Sequence, residues 1–205
     1  MFDIESLKKH ISGLMDEERF KHSVGVMELS ACLAEIYGID VKKAQTAGLV
    51  HDAAKQLPEA EQFSLLEKAF AGREPDRIVF NNKKLWHGPA GAMYVKEKFD
   101  MDDQITSAVF YHTTGKENMT LLEKIIFLAD CIEVNRDKEF DWAFDTREIA
   151  KKDLDEAILI AVDKSLKSII DRKLIIHPGS VMLRNEILRT KAAADAAEWR
   201  KNERR

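Results

Sequence analysis

Cysteine is nearly absent from this chain. Only Cys32 and Cys131 occur among its 205 residues, which is too few for a disulfide framework. We expect both to be core thiols of a protein that acts in the reducing cytoplasm. The N-terminal sequence MFDIESLKKH lacks the apolar region of a signal peptide. No apolar run approaches the roughly 18 residues that would span a bilayer, so we expect no membrane partner.

Glycine, proline and strand-like alternation are also scarce. The chain has nine glycines and four prolines, while alanine, leucine, lysine and glutamate are abundant. This composition favours helix. Apolar and polar residues nowhere alternate over more than a few positions, so we do not expect a sheet. The net charge of -4 argues against binding of duplex nucleic acid through bulk electrostatics, although a local basic pocket is compatible with it.

Apolar residues at helical spacing predict an all-α bundle of about eight to ten helices. The third predicted helix is capped by Asp40, carries residues 49–55 and ends before Pro58. A later helix is predicted to begin at His87, because Pro89 would then lie in its first turn. The other predicted helices cover residues 4–14, 17–37, 58–70, 76–80, 103–111, 121–135, 153–171 and 181 onward, and residues 137–150 are expected to be irregular.

The helix ends carry recognisable signals. Gly38 is a natural stop for the second helix. Thr120 and Glu123 have the spacing of a capping box, just ahead of the most apolar segment, LLEKIIFLADCIEVN. The chain contains no linker or repeat. We therefore predict one domain over residues 1–190, followed by a charged helical tail over residues 191–205.

The pair His51-Asp52 places two polar groups inside the apolar run AGLVHDAAK. Burying a carboxylate beside an imidazole costs free energy unless a partner compensates for it. A divalent cation does so, because both groups are metal ligands. One such dipeptide arises often by chance, but other polar residues also lie in or beside apolar helical runs, where they are costly unless paired. They are His22, His87, His112 and Asp130.

This set resembles the H…HD…D pattern of the metal-dependent phosphohydrolases of the HD superfamily, with His22, His51-Asp52 and Asp130 at the matching positions. A series of strings between Arg19 and Arg136 is similar to the bacterial YqeK family: HSVGV, HDAAK, LWHGPAGA, YHTTG, LLEKIIFLAD and IEVNRD. Members of that family are HD-domain hydrolases that cut diadenosine tetraphosphate symmetrically into two ADP molecules. Val134 stands where proline is common in the family, but this position is not a ligand.

The resemblance implies a single-domain HD fold and a metal centre. Its ligands would be His22, His51, Asp52 and Asp130. The ion would be divalent, with iron as the first choice and manganese, cobalt or nickel as alternatives, and one or two ions would bind. Such an ion lowers the pKa of water toward neutrality. The expected catalytic residues are Asp52, His87 and His112, and the two histidines would bind a second ion or the phosphate oxygens.

Basic and hydroxyl side chains near these positions are candidates for binding the substrate. Arg19 shares a helix face with His22 and could hold a phosphate with its planar guanidinium. Lys55 lies one turn beyond the HD pair, and Arg136 follows the predicted helix of Asp130. Thr113, together with His87 and His112, could contact a phosphate oxygen. Each basic residue could instead form a surface ion pair, and Thr113 could be only a helix cap.

Three other functions remain open on the sequence alone. The chain could be another HD phosphohydrolase that acts on nucleoside mono- or triphosphates. It could also be an HD-type diiron oxygenase, which the basic candidates disfavour, or a non-catalytic nucleotide sensor. We expect a dinucleoside polyphosphate as substrate, ADP as product and no nucleic-acid partner. A homodimer is compatible with the sequence.

Overall fold

The protein is described here by a computed structural model that covers residues 3–202, without the side chains at positions 195, 197, 198 and 200–202. Over this range the chain forms eleven α-helices and no strand, which confirms the all-α prediction. They are α1 (Ile4–Ser12), α2 (Glu17–Tyr37), α3 (Val41–Val50), α4 (Glu59–Ala69), α5 (Arg77–Phe80), α6 (Lys83–Phe99), α7 (Asp103–Tyr111), α8 (Leu121–Ile132), α9 (Ala143–Ala150), α10 (Leu154–Asp171) and α11 (Pro178–Asn202), with a 3-10 turn at Val134–Lys138 between α8 and α9. Within the same range, no helix has both the length and the apolar character that a membrane crossing requires.

Side-chain caps define most helix starts. The carboxylates of Asp16 and Asp40 accept from backbone N–H groups at the start of α2 and α3. Thr120 and Glu123 form both bonds of the predicted capping box at the start of α8. These side chains satisfy N–H groups that the first helical turn leaves unpaired. Gly38 ends α2 in the left-handed region with φ of 68°, as predicted.

Helix α2 lies between two parts of the hydrophobic core. One part joins α1, α3, α6 and α7, and α2 contributes Met27 to it. The other part joins α8, α10 and α11, and α2 contributes Val26 and Leu33 to it. Helix α2 packs directly on α3 and α8. The ends of α3 and α8 therefore meet α2 at the boundary between the two parts of the core, and this boundary positions the polar residues.

The predicted helix boundaries at the HD pair and at His87 are wrong. Helix α3 ends at Val50, so His51 and Asp52 follow it in a turn. The cause is the His51 ring, whose Nδ1 lies 2.7 Å from the Gly48 carbonyl oxygen and takes the place of a helical backbone donor. Helix α6 begins at Lys83 and not at His87, because Asn82 caps it, so Pro89 lies inside the helix.

The region beyond α8 is more regular than predicted. Residues 137–150 include helix α9, which has no side-chain cap to reveal its start. Helix α11 begins at Pro178, three residues earlier than expected, and extends to Asn202. The total of eleven helices in the described range exceeds the prediction. The boundary of a tail at residue 191 stays a prediction, and residues 203–205 of that tail lie outside the described range.

The cysteines do not both lie in the core. Cys32 is exposed on α2, and Cys131 is half-buried at the end of α8. The predicted pair of core thiols is therefore wrong for Cys32, since this position lies on the solvent side of α2. Burial, more than the neighbouring Asp130 charge, raises the pKa of the Cys131 thiol to about 12. This thiol therefore stays protonated at neutral pH.

We expect Gly48→Ala to destabilise the fold. A Cβ atom at this position would lie 2.9 Å from Met27 Cα and 3.0 Å from the Val26 carbonyl oxygen, so α2 and α3 would have to move apart. The expected loss is about 1–3 kcal/mol of the free energy of unfolding, measured by urea denaturation. The control is Gly13→Ala, where a Cβ atom would come no nearer than 3.4 Å to the His10 carbonyl oxygen. Equal stability of the two variants would contradict the close approach of the helices.

Candidate metal centre

Five helices bring the predicted polar residues together. His22 lies in α2, and the HD pair follows α3. His87 lies in α6, His112 follows α7 and Asp130 lies near the end of α8. The four histidines and Asp52 are buried, and the Asp130 side chain is 21% exposed. Residues far apart in the sequence therefore share one mostly buried site, as the sequence pattern predicted.

The ring of His51 shows that this site suits a cation. Its Nδ1 donates to the Gly48 carbonyl at 2.7 Å, which leaves Nε2 with a lone pair. This Nε2 atom is buried and has no hydrogen-bond partner among the described residues. It lies 3.6 Å from Asp52 Oδ2 and 3.7 Å from Asp130 Oδ1. A buried lone pair that faces two carboxylate oxygens is the arrangement that a divalent ion stabilises.

Two groups of residues could each hold a metal ion. The first is His22, His51 and Asp130, and the second is His51, Asp52 and His112. Within each group the ligand atoms lie within 4.8 Å of one another. The groups share His51, so they are adjacent parts of one centre. His112 is predicted as a catalytic and substrate-binding residue, and it thus lies close enough to the HD pair to bind the same metal ion.

His87 and His112 form the other side of the centre. Their Nε2 atoms are 3.2 Å apart, and each lies near Asp52 Oδ1, at 3.3 Å from His87 and 3.6 Å from His112. Lys55 Nζ lies 2.8 Å from His87 Nε2 and 3.4 Å from Asp52 Oδ1. Burial first, and then the Lys55 charge, hold the pKa of His87 well below its usual range, so this ring is neutral. A neutral ring can accept a hydrogen bond or bind a metal.

Glu133 is a site residue that the sequence analysis missed. Its Oε1 lies 2.9 Å from His22 Nδ1, while His22 Nε2 lies 2.9 Å from Asp130 Oδ1. Burial alone would lower the pKa of His22, but the hydrogen bonds to the two carboxylates raise it to about 9. A carboxylate behind an imidazole is a common way to orient a metal-binding histidine. Glu133 follows Asp130 by three residues, a spacing that places both on one helix face and could have identified it.

Gly25 makes room for this carboxylate. A Cβ atom at position 25 would clash with the Glu133 side chain. The second carboxylate oxygen of Glu133 accepts from the backbone N–H of Asn135 at 2.8 Å and from its side-chain amide at 2.7 Å. Glu133 is therefore fixed by the 3-10 turn on one side and by α2 on the other. This arrangement holds the His22 ring in one orientation.

The three predicted phosphate-binding cations surround the centre. Arg19 Nη1 lies 2.6 Å from Asp52 Oδ2. Arg136 donates to both the carbonyl and the carboxylate of Asp130, at 3.0 and 3.1 Å. Lys55 contacts Asp52 as described above. Burial alone would raise the pKa of Asp52 and Asp130, but the nearby imidazoles, and Lys55 in the case of Asp52, hold the pKa of both carboxyls well below the usual range. Both carboxylates are therefore ionised at neutral pH.

Two clefts open beside these cations. One of about 410 Å³ is lined by Arg19, His22 and Arg136 among others. Another of about 470 Å³ is lined by Lys55 and His87 together with two further lysines. The predicted Thr113 lies after His112, and its buried hydroxyl has no hydrogen-bond partner among the described residues. A polyanionic ligand can thus reach the centre from more than one side.

The sequence profile of the HD domain matches residues 19–135, which include every residue of this centre except Arg136. The chain belongs to the HD domain family. HD domains bind divalent metal ions, and the two ligand groups of this chain fit such an ion.

Similarity to individual proteins extends over nearly the whole chain. A protein of Halalkalibacterium halodurans named bis(5'-nucleosyl)-tetraphosphatase, symmetrical, is 36% identical over 186 residues, which are 90% of this chain and 95% of that protein. The protein of the same name from Bacillus subtilis is 34% identical over 83% of this chain and 90% of its own length. A crystal structure from Clostridium acetobutylicum, described as a predicted HD superfamily hydrolase involved in NAD metabolism, is 36% identical with a TM-score of 0.85 over 93% of this chain and 99% of that one. The resemblance inferred from the sequence strings is therefore confirmed.

We expect Glu133→Gln to weaken metal binding. The amide keeps the size of the carboxylate but removes the charge that orients His22. The expected loss of metal affinity is about tenfold to a hundredfold, measured by competition with a fluorescent chelator. Glu35→Gln is the control, because Glu35 is exposed on the same helix as His22. Unchanged affinity in the Glu133 variant would show that this carboxylate only stabilises the 3-10 turn.

Proposed function

We propose that this protein hydrolyses dinucleoside tetraphosphates at a metal centre and cuts diadenosine tetraphosphate symmetrically into two ADP molecules. The observation that carries the proposal is a pair of adjacent ligand groups surrounded by three cations. The two relatives described above, which are named symmetrical tetraphosphatases and align with 90% and 83% of this chain, support the same reaction.

The proposed metal ligands are His22, His51, Asp52 and Asp130, as the sequence predicted. His87 and His112 would complete a second metal position beside Asp52 or contact the phosphates. A bound divalent ion supplies activation of water and neutralises phosphate charge. We propose iron as the native ion, as the family resemblance implies, with manganese, cobalt or nickel as alternatives, since a site with imidazole and oxygen donors suits these four ions better than magnesium.

The cations of the site would bind the polyphosphate. Arg19 and Lys55 both contact Asp52, one on each carboxylate oxygen, so a phosphate that bridges them would lie next to the centre. Arg136 would contact the phosphate chain on the Asp130 side. Charge-assisted hydrogen bonds of this kind hold the chain in place and stabilise the charge that develops during attack. Thr113 would add a hydroxyl donor beside His112.

The cellular compartment and the partners of the protein are also part of the proposal. We propose that the protein acts in the cytoplasm, because its exposed thiol, Cys32, suits a reducing compartment. We also retain the predicted nucleotide substrate and the absence of a nucleic-acid partner. A homodimer stays a prediction.

The first test is the product of the reaction. Metal-loaded protein incubated with diadenosine tetraphosphate should yield ADP as the only nucleotide, separated by ion-exchange chromatography. Asp52→Ala should lose both bound metal, measured by elemental analysis, and hydrolysis, because it removes a carboxylate from the shared centre. Equal amounts of ATP and AMP would reject symmetrical cleavage. Nucleotide binding without any turnover, in protein shown to contain metal, would identify a sensor instead.

The second test concerns substrate binding by Lys55. We expect Lys55→Met to keep its metal and to lower kcat/KM for diadenosine tetraphosphate by one to two decades, since a charge-assisted hydrogen bond contributes roughly 1.5–3 kcal/mol. The loss should be smaller for a small phosphoester that does not reach this side chain. Lys68→Met is the control, because Lys68 forms only an exposed ion pair with Glu97. Equal losses on both substrates, or missing metal, would assign Lys55 to the metal centre itself.

A further inference from the structure

A third cleft reaches the centre from the side of Asp130. Its volume is about 490 Å³, which lies within the roughly 300–1,000 Å³ of typical small-molecule sites. Asp130 and Arg136 are among its lining residues, so the cleft adjoins a proposed metal ligand. The walls come from the segment after the 3-10 turn and from α10. The catalytic residues proposed above do not account for this cleft.

One wall of the cleft is aromatic. The rings of Phe140 and Trp142 are stacked, with centroids 5.2 Å apart and planes inclined by 26°. Both side chains are only partly buried and pack on the core from outside. The guanidinium of Arg136 lies 6.0 Å from the Phe140 centroid. The same arginine therefore contacts the metal-binding carboxylate on one side and the aromatic pair on the other.

Helix α10 contributes three polar residues and Ile169 to the lining of the cleft. Ser165 and Ser168 are three residues apart, so their hydroxyls share a helix face, and both line the cleft. Lys164 also lines it and forms no ion pair with any described side chain. The cleft thus combines two stacked aromatic rings, two hydroxyls and two cations, Arg136 and Lys164. This combination matches a nucleoside with an attached phosphate, since bases stack on aromatic rings and a ribose needs hydrogen bonds.

The cleft beside Lys55 is less suited to a base. Its aromatic residue, Trp86, is buried to 7% exposure and donates its indole N–H to the Phe80 carbonyl at 3.1 Å. The ring also packs against Phe63, with centroids 5.2 Å apart. Trp86 is therefore part of the core. The remaining lining of that cleft consists of polar side chains, three of them lysines and one the Glu59 carboxylate, which suits phosphates more than a base.

We propose that the cleft between Trp142 and α10 binds one adenosine of the substrate, with the base against Trp142 and Phe140 and its phosphate near Arg136. This inference rests on the proposed function, because it supposes a nucleotide that reaches the metal centre. It adds a specificity-determining surface that recognises the nucleoside and not the phosphate chain. Trp142 would be a binding residue with no role in metal binding.

The test compares ADP with inorganic tripolyphosphate, which carries phosphates but no nucleoside. Both are titrated into metal-loaded protein by isothermal calorimetry. Trp142→Leu should weaken ADP binding about tenfold, because a stacking contact typically contributes at least this much, and should leave tripolyphosphate binding and metal content unchanged. Leucine keeps apolar packing at this position, and thermal unfolding checks that the variant folds. Phe144→Leu is the control, since Phe144 is a nearby aromatic residue that is 58% exposed and does not line the cleft.

The possible outcomes separate this inference from the proposed function. Selective loss of ADP binding supports the nucleoside cleft. Unchanged ADP binding in Trp142→Leu, or an equal loss for both ligands, overturns it. If Trp142→Leu does not fold, Ser168→Tyr provides the second measurement, because a bulky ring from α10 should block the cleft and weaken ADP selectively; equal effects on both ligands would again overturn the inference. The proposed function fails on a different result, namely wild-type protein that does not convert diadenosine tetraphosphate to ADP.

Discussion

The hydrogen bond from His51 to the carbonyl of Gly48 determines much of this site. It uses a carbonyl that a continuing helix would have bonded to a backbone N–H, so α3 stops and the HD pair enters a turn. The same bond fixes the imidazole as the tautomer whose lone pair faces Asp52 and Asp130. One contact of 2.7 Å thus sets both the local backbone and the direction of a buried ligand atom. The surrounding helices must then supply groups that compensate for that lone pair.

The helices supply those groups because the centre lies between the two parts of the core. Helix α2 brings His22, and the end of α8 brings Asp130, with Glu133 just beyond it. The carboxylates are in turn neutralised by cations, among them Arg19 and Arg136, at the openings of the clefts. A ring of positive charge around an acidic and imidazole centre is suited to holding a polyanion against a metal. The fold therefore surrounds the metal-binding residues with apolar core and places the cations where solvent reaches the site.

The site residues that could be predicted from the sequence are the polar residues that lie inside apolar helical runs. Asp130 and the HD pair were recognisable because each interrupts a hydrophobic run. Glu133 does not interrupt that run, because it lies where the run ends, so only its spacing of three residues from Asp130 pointed to it, and its contact with His22 joins residues more than a hundred positions apart. The roles assigned to individual site residues stay predictions, although the structure places all of them around the same centre.

Local signals explain the errors in the predicted helices. Pro89 predicts a helix start at His87, but the cap of α6 is Asn82, and a proline within a helix does not exclude an earlier start. Helix α9 was not predicted, because the residue before it, Trp142, forms no side-chain capping bond. The sequence therefore contains no signal for the start of this helix. The end of α3 depends on a side chain that competes with the backbone, which no periodicity of apolar residues can reveal.

The turn at His51 has a consequence for how variation at this position must be interpreted. Any other residue there removes a ligand and also frees the Gly48 carbonyl, so the backbone N–H of Asp52 becomes its natural partner. Asp52 is the next residue in the same turn, so a change in the backbone after α3 could also displace its carboxylate. A substitution at position 51 therefore changes two ligands through one residue, and its effect is an upper limit on the contribution of the imidazole alone.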